Sequence, residues 1–534
     1  MKKIYIILAS ALAMLSLSSC LKDTIQDTYL TEEKKSEISS ENPDKVFAAT
    51  LTGVYTNIQQ ACLDDLKHNY FGQKSFDYLT SLMGNDMIMT GQFAMSLYHY
   101  LMDYWQQDYV PTGNRWREYY DHIAAANTII ANIKEDGASA AALSYLAQAK
   151  AIRGYAYLQL ANLYQRCYYV GADGTKWGKG LVYDWSEKPL VPLLTEETTG
   201  DQPRSSVKDV YALIISDLSD AVRIFGEIGA TKTATTSDFD GCVASLYLAR
   251  AYMNMHEWDK AIDAAQVVID NCPVLTSEAD ILQGFSNVNL PDVIFACPIT
   301  SDNATIYMSF FSQMDMFGDG YAGIGVWRAG CNTFVDRIAD SDIRLEWFLC
   351  SRSQSNSTFA PNKQVDYQSC KFIGCGRDAL ALVDGKWVGT GWELGGYIYL
   401  RSEEAHFIKA ECLAHKDELA DAKQVLKDIM VTRQPDYVAN VASKAEVIEE
   451  INFQKRVEFW GEGIEYLDNR RLNIPVDRSD ENLGVNNHLA AAKTIKVGAE
   501  EMGMTYQLPI SEIQNNKTLT DADQNSNDDL PAEN

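Results

Sequence analysis

Cys20 is the first residue whose type and position invite chemistry. It closes Leu17-Ser18-Ser19-Cys20, directly after the apolar run Ile4 to Leu17, which Lys2 and Lys3 precede. A run that short reads as a cleaved leader rather than a permanent membrane helix. A thiolate is a nucleophile that can accept a lipid, and small residues before it suit a narrow peptidase site. Residues 1–19 therefore read as a signal peptide and Cys20 as a lipidation site. Residues 20–42, polar and acid-rich, read as a tether. Several acyl chains on one residue give stable anchoring to a membrane.

Other reactive constellations are missing from the sequence. Glu403-Glu404 is the most obvious carboxylate pair, but adjacent acids usually form a solvated face. No GxSxG, HExxH or Cys-His-Asn pattern occurs in a fitting context. No CxxC exists, and His406 and His415 lack a zinc spacing. Gly171 to Gly180 is no phosphate cradle, because Asp173 stands where the GxxxxGK pattern needs glycine. No catalytic residue, metal or cofactor is expected. Ten further cysteines in a mature chain of about 515 residues are too few for a stapled scaffold, so most read as buried thiols. The net charge of −27 argues against nucleic acid or anionic lipid as the ligand.

The elements that must carry any site are mostly helical. Apolar residues at helical spacing predict a helix opening at Asn42-Pro43-Asp44, then Trp116 to Lys134, Ala140 to Tyr164 and Ser206 to Phe225. Asp64 to Asn114 reads as a loop-rich stretch. From Gly241 to Pro273 the offsets of Leu248, Ala249, Tyr252, Ala261, Ala265 and Pro273 fit a tetratricopeptide unit. A second copy spans Arg401 to Pro435. Helical periodicity resumes from Glu446 to Leu472 as one long helix, and the tail Asn515 to Asn534 reads as surface-lying. The fold class is mainly α, a tetratricopeptide-like solenoid whose repeats lie at about 43–273 and 397–472. An irregular, aromatic-rich insertion with short β elements fills about 274–396, and 473–534 forms a C-terminal segment.

Taken in order, several of these stretches resemble the SusD/RagB family of outer-membrane nutrient-binding lipoproteins. The resemblance rests on Cys20 in its motif, on Trp116-Arg-Glu-Tyr119-Tyr120-Asp-His-Ile123 with Ala126-Asn127, and on Ala149-Lys150-Ala-Ile-Arg153-Gly-Tyr155. Pro189-Leu-Val-Pro192 and the closing Tyr506-Gln507-Leu508-Pro509-Ile510-Ser511-Glu512-Ile513 extend it. In the late helix Gln454, Lys455 and Glu465 depart from the family's Glu, Arg and Arg. Those positions look like fold-holding ion pairs, one of which Glu465 puts in doubt. The family implies one domain over 43–534 with about four helix pairs. It also implies a partner, a SusC-type TonB-dependent barrel over which the lipoprotein sits as a hinged lid.

The same resemblance implies a ligand, an oligosaccharide held on aromatic rings and imported without bond-breaking. A peptide or other nutrient in the same role, or a surface glycosidase, are the alternatives. Sugar rings present apolar C–H faces that stack on aromatics, while their hydroxyls need polar partners at the rim. By analogy with starch-binding members, Tyr104 and Trp105 in the first loop region and Tyr321 and Trp327 in the insertion form the candidate platform. Asn85, Asp86, Asp108 and Arg328 are the candidate polar partners. Trp116 and Trp460, at helical spacing, read as core.

Overall fold

The computed structural model describes residues 43–59, 68–90, 96–170, 183–349 and 366–530. Cys20, the leader, the tether and the Gly171–Gly180 loop lie outside the described residues. The chain divides into two compact units, Met1–Thr50 and Leu51–Asn534. Of the first unit, the described part is the opening of helix α1 (Pro43–Gln59). Within the second unit, Leu51, Val54, Tyr55 and Ile58 of α1 are buried at i, i+3, i+4, i+7 spacing.

Helix α2 (Gln73–Ser81) follows, inside the stretch expected to be loop. It escapes periodicity because eight of its nine residues are buried, so no polar face marks it. Eight helices then run in succession: α3 (Val110–Asn132), α4 (Ala140–Tyr164), α5 (Val207–Glu227), α6 (Gly241–Asn254), α7 (Trp258–Asn271), α8 (Glu403–His415), α9 (Leu419–Met430) and α10 (Lys444–Glu458). Each packs on the next, which makes the four-pair helical solenoid. Local chemistry starts them. Ser139, Ser206 and Asp240 cap α4, α5 and α6 by accepting the backbone N–H three residues on, and Ser443 with Glu446 forms a capping box on α10. Small residues at the crossings, Ala249 and Ala265 in one hairpin and Ala410 and Ala422 in the other, are fully buried and let the helices approach closely.

The expected single late helix is two. α10 stops at Glu458, and α11 (Ile464–Arg471) restarts after Gly461 and Gly463, both left-handed at φ 81° and 82°. A side chain at Gly461 would meet the Phe372 ring, and one at Gly463 the backbone of Asp77. The insertion is irregular as expected. Its strand Val293–Cys297 pairs antiparallel with Tyr397–Arg401, and the described strands form only two-stranded sheets.

A buried charge cluster joins the insertion to the solenoid. Arg344 and Lys371 of the insertion, with Arg401 and Arg433, surround Glu458 and Glu462 at the end of α10. Glu403 and Glu404, expected on a solvated face, are part of this interior. Glu403 accepts from Arg433 at 2.9 Å, and Glu404 accepts from Nε and Nη2 of Arg250, each at 2.6 Å. The cost of burying both acids is offset by guanidinium partners that come from distant segments. Of the departures in the late helix, Lys455 pairs with Asp468 at 2.9 Å and Gln454 accepts from Arg344. Glu465 accepts the Asn85 N–H at 2.6 Å in place of an ion pair. The described part of the tail lies mostly at the surface, as expected, and is pinned at a few buried residues. Asn525 is buried, donating to the carbonyls of Tyr164 and Tyr506. Of the described cysteines, Cys242, Cys272, Cys297, Cys331 and Cys412 are buried free thiols and Cys167 and Cys375 half-buried ones; Cys62 and Cys350 lie outside the described residues.

Candidate ligand-binding face

The sequence from Ser96 to Val110 folds into a tyrosine ridge. A single turn of helix, Leu97–Tyr100, ends at Met102, whose φ of 57° reverses the chain. The reversal is closed by the Asp103 N–H donating to the Tyr98 carbonyl at 2.8 Å. Tyr104 is thereby laid on Tyr98, with ring centroids 4.9 Å apart and planes within 26°. Tyr109, immediately before α3, closes on Tyr104 at 4.9 Å. Tyr98 and Tyr109 remain 48 % and 38 % exposed. His99 stands edge-on behind Tyr104 at 5.0 Å, and burial holds its imidazole well below the usual range, hence neutral. Tyr100 points the other way, fully buried, its hydroxyl 2.7 Å from His488 Nδ1.

The C-terminal segment fixes this ridge. The Trp105 carbonyl accepts the Gln507 N–H at 2.9 Å, and the Gln107 carbonyl accepts the Ile510 N–H at 3.1 Å. Gln507 Oε1 accepts the Gln107 N–H at 3.1 Å. The motif Tyr506 to Ile513 thus acts as a strap under the ridge.

The insertion supplies a second ring cluster. Tyr307, 48 % exposed, stacks over His68 at 6.1 Å and meets Tyr321 at 6.1 Å. The Tyr321 hydroxyl lies 2.7 Å from His68 Nδ1. A buried hydrogen-bond relay joins the two clusters. Tyr78 donates to Ser96 Oγ at 3.0 Å and accepts from Arg328 Nε at 2.7 Å. Arg328 also donates to Gln313 Oε1 at 2.8 Å, and Gln313 donates to the His68 carbonyl at 3.2 Å.

Four expected contacts are therefore corrected. Trp327 is only 2 % exposed and packs in a small core with Met316, Phe317 and Ile373. Arg328, buried beside it, is the centre of the relay and has no solvent-facing nitrogen to offer. Asp86 is buried in a bidentate pair with Arg456, 2.6 Å from Nε. Asn85 is buried too, donating its side chain to the Pro475 carbonyl at 3.1 Å. The Gly84-Asn85-Asp86 turn looks exposed in sequence. It is covered because Glu465 lies so close that no side chain fits at Gly84. Tyr104, Trp105 and Tyr321 stay half-buried at the surface and Asp108 is exposed. Tyr98, Tyr109, Tyr307 and His68 join the face without having been singled out by sequence. The one available signal is the run of tyrosines at 98, 104 and 109 in a stretch without helical period.

Among the described residues no group of three His, Cys, Asp or Glu is placed to hold a metal ion. Nor is any described helix long and apolar enough to cross a membrane.

Fold and face together define a helical-repeat protein that displays open aromatic rings between its first repeat and a large insertion. Two family models match the chain. One, described as starch-binding associating with outer membrane, matches residues 28–253, and the other, described as SusD family, matches residues 388–528. The chain belongs to the SusD family. A SusD-like carbohydrate binding protein from Bacteroides vulgatus is 20 % identical, with 90 % of this chain and 98 % of that one covered at a TM-score of 0.71. A SusD superfamily protein from Bacteroides fragilis is 22 % identical over 89 % and 98 %, at 0.66. Surface glycan-binding protein A from Bacteroides uniformis is 15 % identical over 89 % and 99 %, at 0.60. No curated protein matches the chain.

Proposed function

We propose that this protein is a cell-surface glycan-binding lipoprotein. Cys20 carries the lipid and anchors the chain in the outer leaflet of the outer membrane. The solenoid presents the Tyr98–Tyr104–Tyr109 ridge and the Tyr307–Tyr321 cluster to an oligosaccharide, which is handed to a SusC-type TonB-dependent transporter without being cleaved. The observation that carries the reading is the ridge itself. Rings left open side by side, rather than scattered singly, mark a surface that binds something, and sugar C–H faces are suited to rings of this kind. Asp103 and Asp108 beside the ridge are exposed and offer acceptors to hydroxyls. Glu403 and Glu404, the most obvious pair of acids in the sequence, are buried against Arg433 and Arg250 and so are not open to a glycosidic bond.

The test is affinity electrophoresis in gels containing soluble starch, xylan, mannan or pectin. The parent should be retarded by at least one polysaccharide, and Tyr98→Ala with Tyr109→Ala should abolish that retardation. A parent that runs freely through every gel would remove the reading.

A further inference from the structure

An open cleft of about 640 Å³ lies on the flank of α3, apart from the two ring clusters. That volume is within the ~300–1,000 Å³ typical of small-ligand clefts. Its position is set by the ridge. Tyr109 immediately precedes α3, and Val110 and Gly113 from the first turns of that helix line the cleft. The opposite wall also starts at the ridge. Ile510 is tied to Gln107, and Ser511, Glu512 and Asn515 follow it along the cleft.

The walls are held in place. Asn516 donates to the Gln202 carbonyl and to Glu512 Oε1, both at 2.9 Å, which joins the short helix Ile510–Asn515 to the loop at 200–202. Tyr120 donates to the Pro192 carbonyl at 2.7 Å and lies 4.9 Å from Trp116. The lining therefore mixes aromatic and apolar surface from Trp116, Tyr120 and Leu194 with amide groups from Gln202 and Asn515. Three carboxylates, Asp121, Asp201 and Glu512, line the cleft against one guanidinium, Arg117.

We propose that this cleft is a second subsite for the glycan held on the tyrosine ridge, and that it admits neutral or amine-bearing sugar residues while excluding uronate or sulfated ones. The inference rests on the glycan-binding reading above. Rings and amides are the groups that sugar faces and hydroxyls require. The preformed walls need no rearrangement to receive a chain, which lowers the entropy lost on binding. The surplus of carboxylates repels an anionic sugar, and at low salt this exclusion is strongest. A chain long enough to lie on the ridge and turn into the cleft gains from both sites, whereas a disaccharide occupies one.

Gly113→Leu tests the subsite. Pro509 Cβ, at 4.0 Å, is the nearest atom to a Cβ built there, so a side chain at this position starts in open space on the cleft wall. Parent and variant, matched in melting temperature, are applied to an array of neutral, amino, uronate and sulfated oligosaccharides two to eight residues long. For the best-bound series, Gly113→Leu should weaken the longest chains about tenfold and leave disaccharides unchanged. Asp121→Asn with Asp201→Asn should bring uronate chains into detectable binding at low salt. If the parent binds long chains no better than disaccharides, or Gly113→Leu leaves long-chain affinity intact, the subsite is refuted while the ridge stands. It is refuted equally if the variant loses only co-purification with an outer-membrane barrel. A parent silent on the whole array overturns the ridge and the subsite together.

Discussion

Gln507 and Trp105, some four hundred residues apart in the chain, are joined by one backbone hydrogen bond of 2.9 Å from the Gln507 N–H to the Trp105 carbonyl. The Gln507 side chain makes a second link by accepting the Gln107 N–H. Together they pin the ridge loop from below, so the C-terminal motif serves the binding face as well as the fold. Gln507→Ala leaves the half-buried Gln107 N–H without its acceptor, at a cost of about 0.5–1.5 kcal/mol. Hydrogen–deuterium exchange should quicken in the peptide spanning 104–109, with glycan affinity falling alongside. Unchanged exchange there would mean the strap does not hold the ridge.

The aromatic residues separate into two kinds that binding and stability measurements distinguish. Tyr98→Ala with Tyr109→Ala removes half-exposed rings, each contributing about 1 kcal/mol of stacking to a ligand. Retardation in a glycan gel should drop roughly five- to tenfold per ring, with the melting temperature nearly unmoved. Trp327→Ala instead empties a packed site and should cost about 3–5 kcal/mol in urea titration. A stable Trp327→Ala with selectively lost binding would return that tryptophan to the ligand face.

How much of this is legible in the sequence depends on where each residue's partners come from. Helices α4 and α5 and the hairpins from Gly241 and Arg401 are readable because their small residues, caps and apolar stripes are local. The break between α10 and α11 is not, although Gly461-Glu462-Gly463 stands in plain view. The chain turns left-handed at both glycines, and what keeps any larger residue out of them is the closeness of Phe372 and Asp77, which no local pattern shows. The ligand face is harder still. In the insertion no period separates inward from outward, so Trp327 and Tyr307 look alike until the core with Met316 and Phe317 claims one of them. Arg328 and Asp86 read as rim groups because the tyrosine and arginine that bury them lie far away in sequence.

Glu465 sets a pH dependence of one sign. It is buried with Asp86 nearby, and its carboxyl is pushed up to about 8; burial is the main cause and the Asp86 charge adds to it. The folded chain therefore holds a proton that the unfolded chain releases near 4.5. Between those values the folded state binds more protons, so stability falls as pH rises and is lost through about 8. Glu465→Gln mimics the protonated form. It should match the parent at pH 5 and exceed it by at least about 1 kcal/mol at pH 9 in denaturant titrations. Parallel profiles for the two proteins would show that the carboxyl ionises freely.

Glu458 has the opposite sign. Arg344, Arg401 and Arg433 reach it at 3.3, 3.1 and 2.9 Å, and those charges hold it far below the usual carboxylate range against the cost of burial. Its neighbour Glu462, paired with Arg401 and Lys371, is brought down to about 2. Depressed carboxylates stabilise above their ordinary value of 4.5 and lose that contribution as pH falls towards 2, so the fold should tolerate pH 5 and fail steeply below about 4. Glu458→Gln keeps the shape but removes the one charge that three buried guanidinium groups share, leaving Arg344 with Asp342, Arg401 with Glu462 and Arg433 with Glu403. The loss should be about 3–5 kcal/mol, large enough to release the insertion from the solenoid. Limited proteolysis would then cut first within the insertion, between the strand Val293–Cys297 and Arg401. Equal resistance of Glu458→Gln and parent would mean that apolar packing, rather than this charge cluster, holds the insertion in place.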